Sequence, residues 1–216
     1  HIVRAYRVQA EKALADAVAR AAFWAPLLAC NETDYPALEA TLPKLEDRIR
    51  NALAKRGGIG YIQPDEKTFP LADGFTRWVK ACDAIPTIAW LDGTSDGEAD
   101  ADRLLDLMTA KGCAALNIIP DRNWNLKSPD EAATKQAKLA EIVAGCVARN
   151  LPVNIGTEMN KGGLPFVDDL AGPVLSRYAS VFVQGMQIMV GQSVLARYAD
   201  APYLGARAMA EFPDRA

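Results

Sequence analysis

Four short apolar runs in this chain each end in a polar cluster, and no other feature limits its possible folds so strongly. Ile59–Ile62 leads into Gln63-Pro64-Asp65-Glu66, and Ile85–Trp90 into Leu91-Asp92-Gly93-Thr94. Ala114–Ile119 leads into Pro120-Asp121-Arg122-Asn123-Trp124-Asn125, and Leu151–Ile155 into Gly156-Thr157-Glu158-Met159-Asn160-Lys161. Helical stretches separate the runs, which gives a βαβα rhythm and predicts parallel strands. The fold class read from this is α/β: a partial or distorted TIM-like (βα) barrel preceded by a helical segment. In such folds the chemistry gathers where the strands end, so the polar clusters hold the candidate residues.

The expected boundaries are a helical segment over 1–56 and a barrel-like domain over 57–216. In the first, residues 2–30 read as one long Ala-rich helix interrupted near Pro26. Leu38, Leu42, Leu45, Ile49 and Leu53 then recur every three or four residues as the apolar face of another helix. Asp34 can cap that helix, Pro36 suits its first turn, and Gly57-Gly58 stops it. In the second, strands are expected over 58–63, 85–91, 113–119 and 151–157. Helices are expected near 71–82, 98–111 and 129–149, the last capped by Ser128 with Pro129 in its first turn. Beyond Asp169 the pattern turns helical, from Pro173 to Gln184 and from Gln187 to Tyr198, although Ser180–Gln184 is β-rich enough to form a fifth strand. The chain starts at His1 without an initiator Met, and a preceding segment is expected.

Composition removes several function classes. With 24 basic and 27 acidic residues and a net charge of −3, no basic patch invites nucleic acid. No apolar run reaches the length of a membrane span, so no membrane partner is expected. Cys30, Cys82, Cys113 and Cys146 show no CxxC spacing and read as reduced thiols, which implies a cytoplasmic protein. The only histidine is His1, which excludes a Ser-His-Asp triad and a histidine-rich zinc site.

Glu158 is the leading candidate, because a carboxylate at the end of a buried strand needs a partner, a metal or a task. Asp92 stands equivalently after its own strand; its structural alternative is an Asx turn before Gly93. Asn117 interrupts an apolar strand and needs a hydrogen-bond partner. Arg122 can clamp a phosphate or carboxylate. Asn160 can reach a ligand from its loop, and Trp90 is a pocket wall or a core residue.

The phrases Gly58–Glu66, Ile85–Thr94, Asn117–Asn123 and Gly156–Asn160 resemble the C-terminal part of metal-dependent hydrolases of the polymerase-and-histidinol-phosphatase (PHP) type, and more loosely amidohydrolase-like barrels. The histidine ligands of that family are absent. The resemblance implies a distorted barrel that hydrolyses a phosphoester or related polar substrate with a metal-activated water. On this reading Glu158 and Asp92 act as catalytic base and as ligands of Mg²⁺ or Mn²⁺, the cations an oxygen-rich site prefers. Asn117, Arg122, Asn160 and Trp90 bind the small-molecule substrate. Two alternatives stand beside it: a metal-free carbohydrate-active barrel, and a degenerate barrel that binds a ligand or partner. The helices of 1–56 offer a surface for homo-oligomers.

Overall fold

The computed structural model describes residues 1–159, 164 and 166–212. The chain divides into two compact units, His1–Phe69 and Pro70–Ala216.

In the first unit α1 (Ile2–Ala13), α2 (Ala17–Leu27), α3 (Tyr35–Glu39) and α4 (Leu42–Ala54) follow one another. The long helix expected over 2–30 is broken at Leu14–Asp16, not at Pro26. Asp16 caps the new start, its carboxylate accepting the Ala19 amide at 2.8 Å. Pro26 is tolerated because it falls in the last turn of α2, where the lost amide interrupts little helix. Trp24, Leu28, Tyr35, Leu45 and Ile49 form the core of this unit. Arg7 is buried and pairs with Glu46 at 3.0 Å and with Glu11, so its charge is compensated.

The strand expected over 58–63 does not form. Ile59 and Ile62 are 79 % and 87 % exposed. The amides that would have joined a sheet ladder are spent on the end of α4: Ile59 donates to the Ala52 carbonyl and Gly60 to the Leu53 carbonyl. A helix C-terminus leaves such carbonyls unpaired, and this segment supplies their donors.

In the second unit the order is α5 (Ala72–Ala81), β1 (Thr87–Trp90), α6 (Ala101–Ala110), β2 (Ala115–Ile118), α7 (Asp121–Trp124), α8 (Pro129–Ala148) and β3 (Val153–Ile155). A 3-10 turn (Ser176–Tyr178) then runs into α9 (Ala179–Ala199), and α10 (Ala206–Glu211) follows. The sheet is parallel, three-stranded and ordered β1-β2-β3. Ile88 and Trp90, Leu116 and Ile118, and Val153 bring one apolar face onto Leu105 of α6 and onto Leu139, Ile142, Val143 and Cys146 of α8. Ser128 caps α8 as expected, accepting the Glu131 amide. The cap of α6 is Asp100 rather than one of Thr94, Ser95 or Asp96.

The barrel is therefore overturned. Among the described residues three strands make a small open sheet, whereas closure of a βα barrel takes eight. Ser180–Gln184, a possible fifth strand by composition, lies inside α9. That helix is continuous through Gly185, across the break expected between Gln184 and Gln187. A Cβ on Gly185 would sit 2.0 Å from the Val153 carbonyl oxygen, so α9 approaches the β3 backbone more closely than any side chain permits. Among the described residues one stretch, Ser176–Ala199, is long and apolar enough by length and composition to cross a membrane, and it is mostly exposed.

Two glycine substitutions should separate these effects. Gly185→Ala is expected to lower stability by about 1–3 kcal/mol, the usual range for overpacking. Gly74→Ala, in α5 with open space around it, is expected to be neutral or to stabilise by about 0.5–1 kcal/mol. Urea unfolding followed by circular dichroism checks both.

Candidate functional site

Alternation along each strand sends its side chains to opposite faces. Trp90 points into the core and is 1 % exposed, so it offers no surface to a ligand. The opposite face carries Ala89, Asn117 and Asn154 in one row across the three strands. Asn117 has its partner there: its Oδ1 accepts from Asn154 Nδ2 at 3.1 Å. Gly156 leaves room for this pair, since a Cβ there would stand 3.0 Å from Asn117 Nδ2.

Beyond β1, the Glu98 carboxylate accepts the amides of Leu91 at 2.9 Å, Gly93 at 3.2 Å and Asp92 at 3.4 Å. Asp92 is buried, with both oxygens engaged. One accepts from the Thr94 amide at 3.1 Å and from the Thr94 hydroxyl; the other lies 3.1 Å from the Lys135 ammonium of α8. Burial raises the Asp92 pKa, but the Thr94 hydroxyl, the Lys135 ammonium and the Thr94 amide outweigh it, so the carboxyl titrates below its usual range. Lys135 is in turn shared with Glu131 at 2.7 Å. This is the Asx turn, fastened to α8 by an ion pair.

Beyond β2, the short helix α7 knits the strand ends together. Asn123 is fully buried and donates to the Leu91 carbonyl at 3.0 Å and the Ile119 carbonyl at 3.2 Å. Trp124 Nε1 donates to Asp168 Oδ1 at 2.8 Å, and the Thr157 hydroxyl, just past β3, donates to Asp168 Oδ2 at 2.8 Å. Arg122 reaches Glu158: Nη2 and Nε lie 3.0 and 3.2 Å from the same oxygen, Oε2. Both side chains are about a third exposed. Arg122 Nη1 donates to no described residue.

The structure thus brings Arg122 and Glu158 into contact and sets Asn117 beside Asn154. Asn160 lies outside the described residues. The metal centre expected of Glu158 and Asp92 is corrected: among the described residues no group of three or more His, Cys, Asp and Glu side chains comes together to hold a metal. Each carboxylate faces a cation of the chain instead, Lys135 or Arg122. Sequence reasoning passed over Glu98, Lys135, Thr157 and Asp168. Asp168 is 44 residues from Trp124, and no local pattern marks a pairing at that distance.

Compared with protein-family models, with curated proteins and with solved structures, the chain matches none.

A separate cleft of about 530 Å³ between α9 and α10, lined by Gln187, Leu195, Arg207 and Phe212 among others, shares no residue with the strand ends.

The Asp92 anchor has a pH signature. Because its pKa is depressed in the fold, its stabilising contribution is complete above the ordinary carboxylate range and is lost as pH falls through the folded value. Asp92→Asn is expected to cost about 1–3 kcal/mol at pH 7 and to flatten the acid limb of the stability profile. Urea midpoints measured between pH 7 and pH 3 on both proteins check this.

Proposed function

We propose that the carboxyl edge of the sheet binds a small anionic molecule, a phosphoester or related polar substrate, and that hydrolysis of a bond in that molecule is the chemistry it supports. The observation that carries this reading is the Arg122–Glu158 pair: a guanidinium side chain about a third exposed, just past β2, held by two contacts to one carboxylate oxygen. Arg122 then offers Nη1 to an incoming anion in a planar geometry suited to phosphate or carboxylate. Glu158 is the carboxylate placed to take a proton from an attacking water. Asn117 and Asn154 offer amide groups on the same sheet face for hydroxyls of the ligand.

Asp92 is assigned a different part. With both oxygens engaged and the side chain buried, it shapes the loop after β1 and anchors it to α8. The four cysteines are free thiols, two of them buried, a state suited to the cytoplasm that we propose for the protein.

The test is a ligand screen followed by mutation. Phosphomonoesters and small carboxylates are titrated into the protein while the amide spectrum is followed by nuclear magnetic resonance. Shifts at Arg122, Glu158 and Asn117 are expected, and Arg122→Ala should weaken binding about tenfold to a hundredfold, as loss of a charge-assisted hydrogen bond does. Glu158→Gln should retain binding and lose turnover of the bound phosphoester. Unchanged anion affinity in Arg122→Ala, or unchanged turnover in Glu158→Gln, would overturn the assignment.

A further inference from the structure

Asp168 is buried where hydropathy would place something else. Phe166 and Val167, just before it, lie 78 % and 63 % exposed, and Asp169 and Leu170, just after it, are exposed as well. The inward position of this stretch is given to a carboxylate, at 6 % exposure, while two apolar side chains stay in water. A buried carboxylate costs free energy unless its hydrogen bonds are made, and departures of this kind from local rules gather at functional sites. Among the described residues its side-chain partners are two neutral donors, Trp124 Nε1 on one oxygen and the Thr157 hydroxyl on the other, each at 2.8 Å.

We propose that Asp168 is a positioning residue, which holds Arg122 against Glu158 by tying together the two chain segments that carry them; this rests on the reading of that pair as an anion site. Trp124 lies two residues past Arg122 in α7 and packs against the core of the second unit. Thr157 immediately precedes Glu158. The sheet ladder stops short of both: among the described residues its last bond runs from the Gly156 amide to the Ile118 carbonyl, at 3.0 Å. Past it, the Thr157 hydroxyl on Asp168 fixes the residue before Glu158. Arg122 and Glu158 are themselves about a third exposed, and an exposed ion pair has too little net energy to hold two segments in place. A short buried carboxylate does so at lower entropic cost than two long flexible side chains. With α7 and the end of β3 fastened to the same planar group, Arg122 keeps Nε and Nη2 on Glu158 and has Nη1 left for an incoming anion.

The test uses the full 216-residue chain. In the ligand-free protein, exchange of the Arg122 Nε proton with water is followed by nuclear magnetic resonance, and inorganic phosphate is then titrated in. Asp168→Ala removes both bonds and Thr157→Val removes one. In each, exchange should speed up and phosphate affinity should fall about threefold to tenfold, the equivalent of one hydrogen bond. Asp168→Asn keeps the shape, accepts from Trp124 through its amide oxygen and donates to the Thr157 oxygen through its amide nitrogen, so it should keep exchange slow. If Asp168→Ala does not fold, Thr157→Val carries the same comparison. A lower melting temperature with Arg122 exchange unchanged in Thr157→Val would mark a carboxylate that only stabilises the fold, and would overturn the proposal. So would an Asp168→Asn protein that exchanges as fast as Thr157→Val. The two readings fail separately: faster Arg122 exchange in the variants of a protein that binds no phosphate would refute the anion site and still support Asp168 as the residue that positions the pair.

Discussion

The second unit is organised by one contact, the burial of α8 under the apolar face of the sheet. Leu139, Ile142, Val143 and Cys146 line up along the helix and meet Trp90, Ile118 and Leu116. Each fully buried aliphatic or aromatic side chain contributes about 1.5–3 kcal/mol relative to exposure, so this layer dominates the favourable side of folding. It also fixes the direction of everything else. Once Trp90 and Ile118 face α8, alternation sends Ala89, Asn117 and Asn154 to the other face, and the polar clusters emerge together at the carboxyl edge.

That edge shows how a small sheet manages charge. The carboxylates that sequence reading singled out do not converge on a common centre; each is met by its own cation. Asp92 takes Lys135 from α8, and Glu158 takes Arg122 from α7. A buried carboxylate left without donors would cost several kcal/mol, and Asp168 avoids this with Trp124 and Thr157. The two pairs differ in exposure, and that difference divides their roles. The buried Asp92 pair is structural, whereas the Arg122–Glu158 pair sits where a solute can reach it.

Much of the second unit was legible along the chain. Three of the four apolar runs became strands, because Ile88, Leu116 and Val153 stand at positions that alternation can bury. Ser128-Pro129 announced the start of α8 through local capping chemistry. The fourth run failed for a reason that hydropathy does not record: Ile59 and Gly60 give their amides to the end of α4, and no neighbouring strand competes for them. The β-rich Ser180–Gln184 became helix because Gly185 lets α9 lie against β3, a tertiary contact outweighing a local preference.

By itself the sequence determined the alternation of strand and helix, the parallel sense of the sheet, the positions of Asp92, Arg122 and Glu158 just past strand ends, and that of Asn117 inside its strand. These follow from side-chain period and capping, which act over a few residues. Only the tertiary structure decided that the described residues form a sheet of three strands, that Lys135 of α8 pairs with Asp92, and that Asp168 joins Trp124 to Thr157. Those outcomes depend on which distant donors and apolar faces meet, and burial energy is settled only when they do.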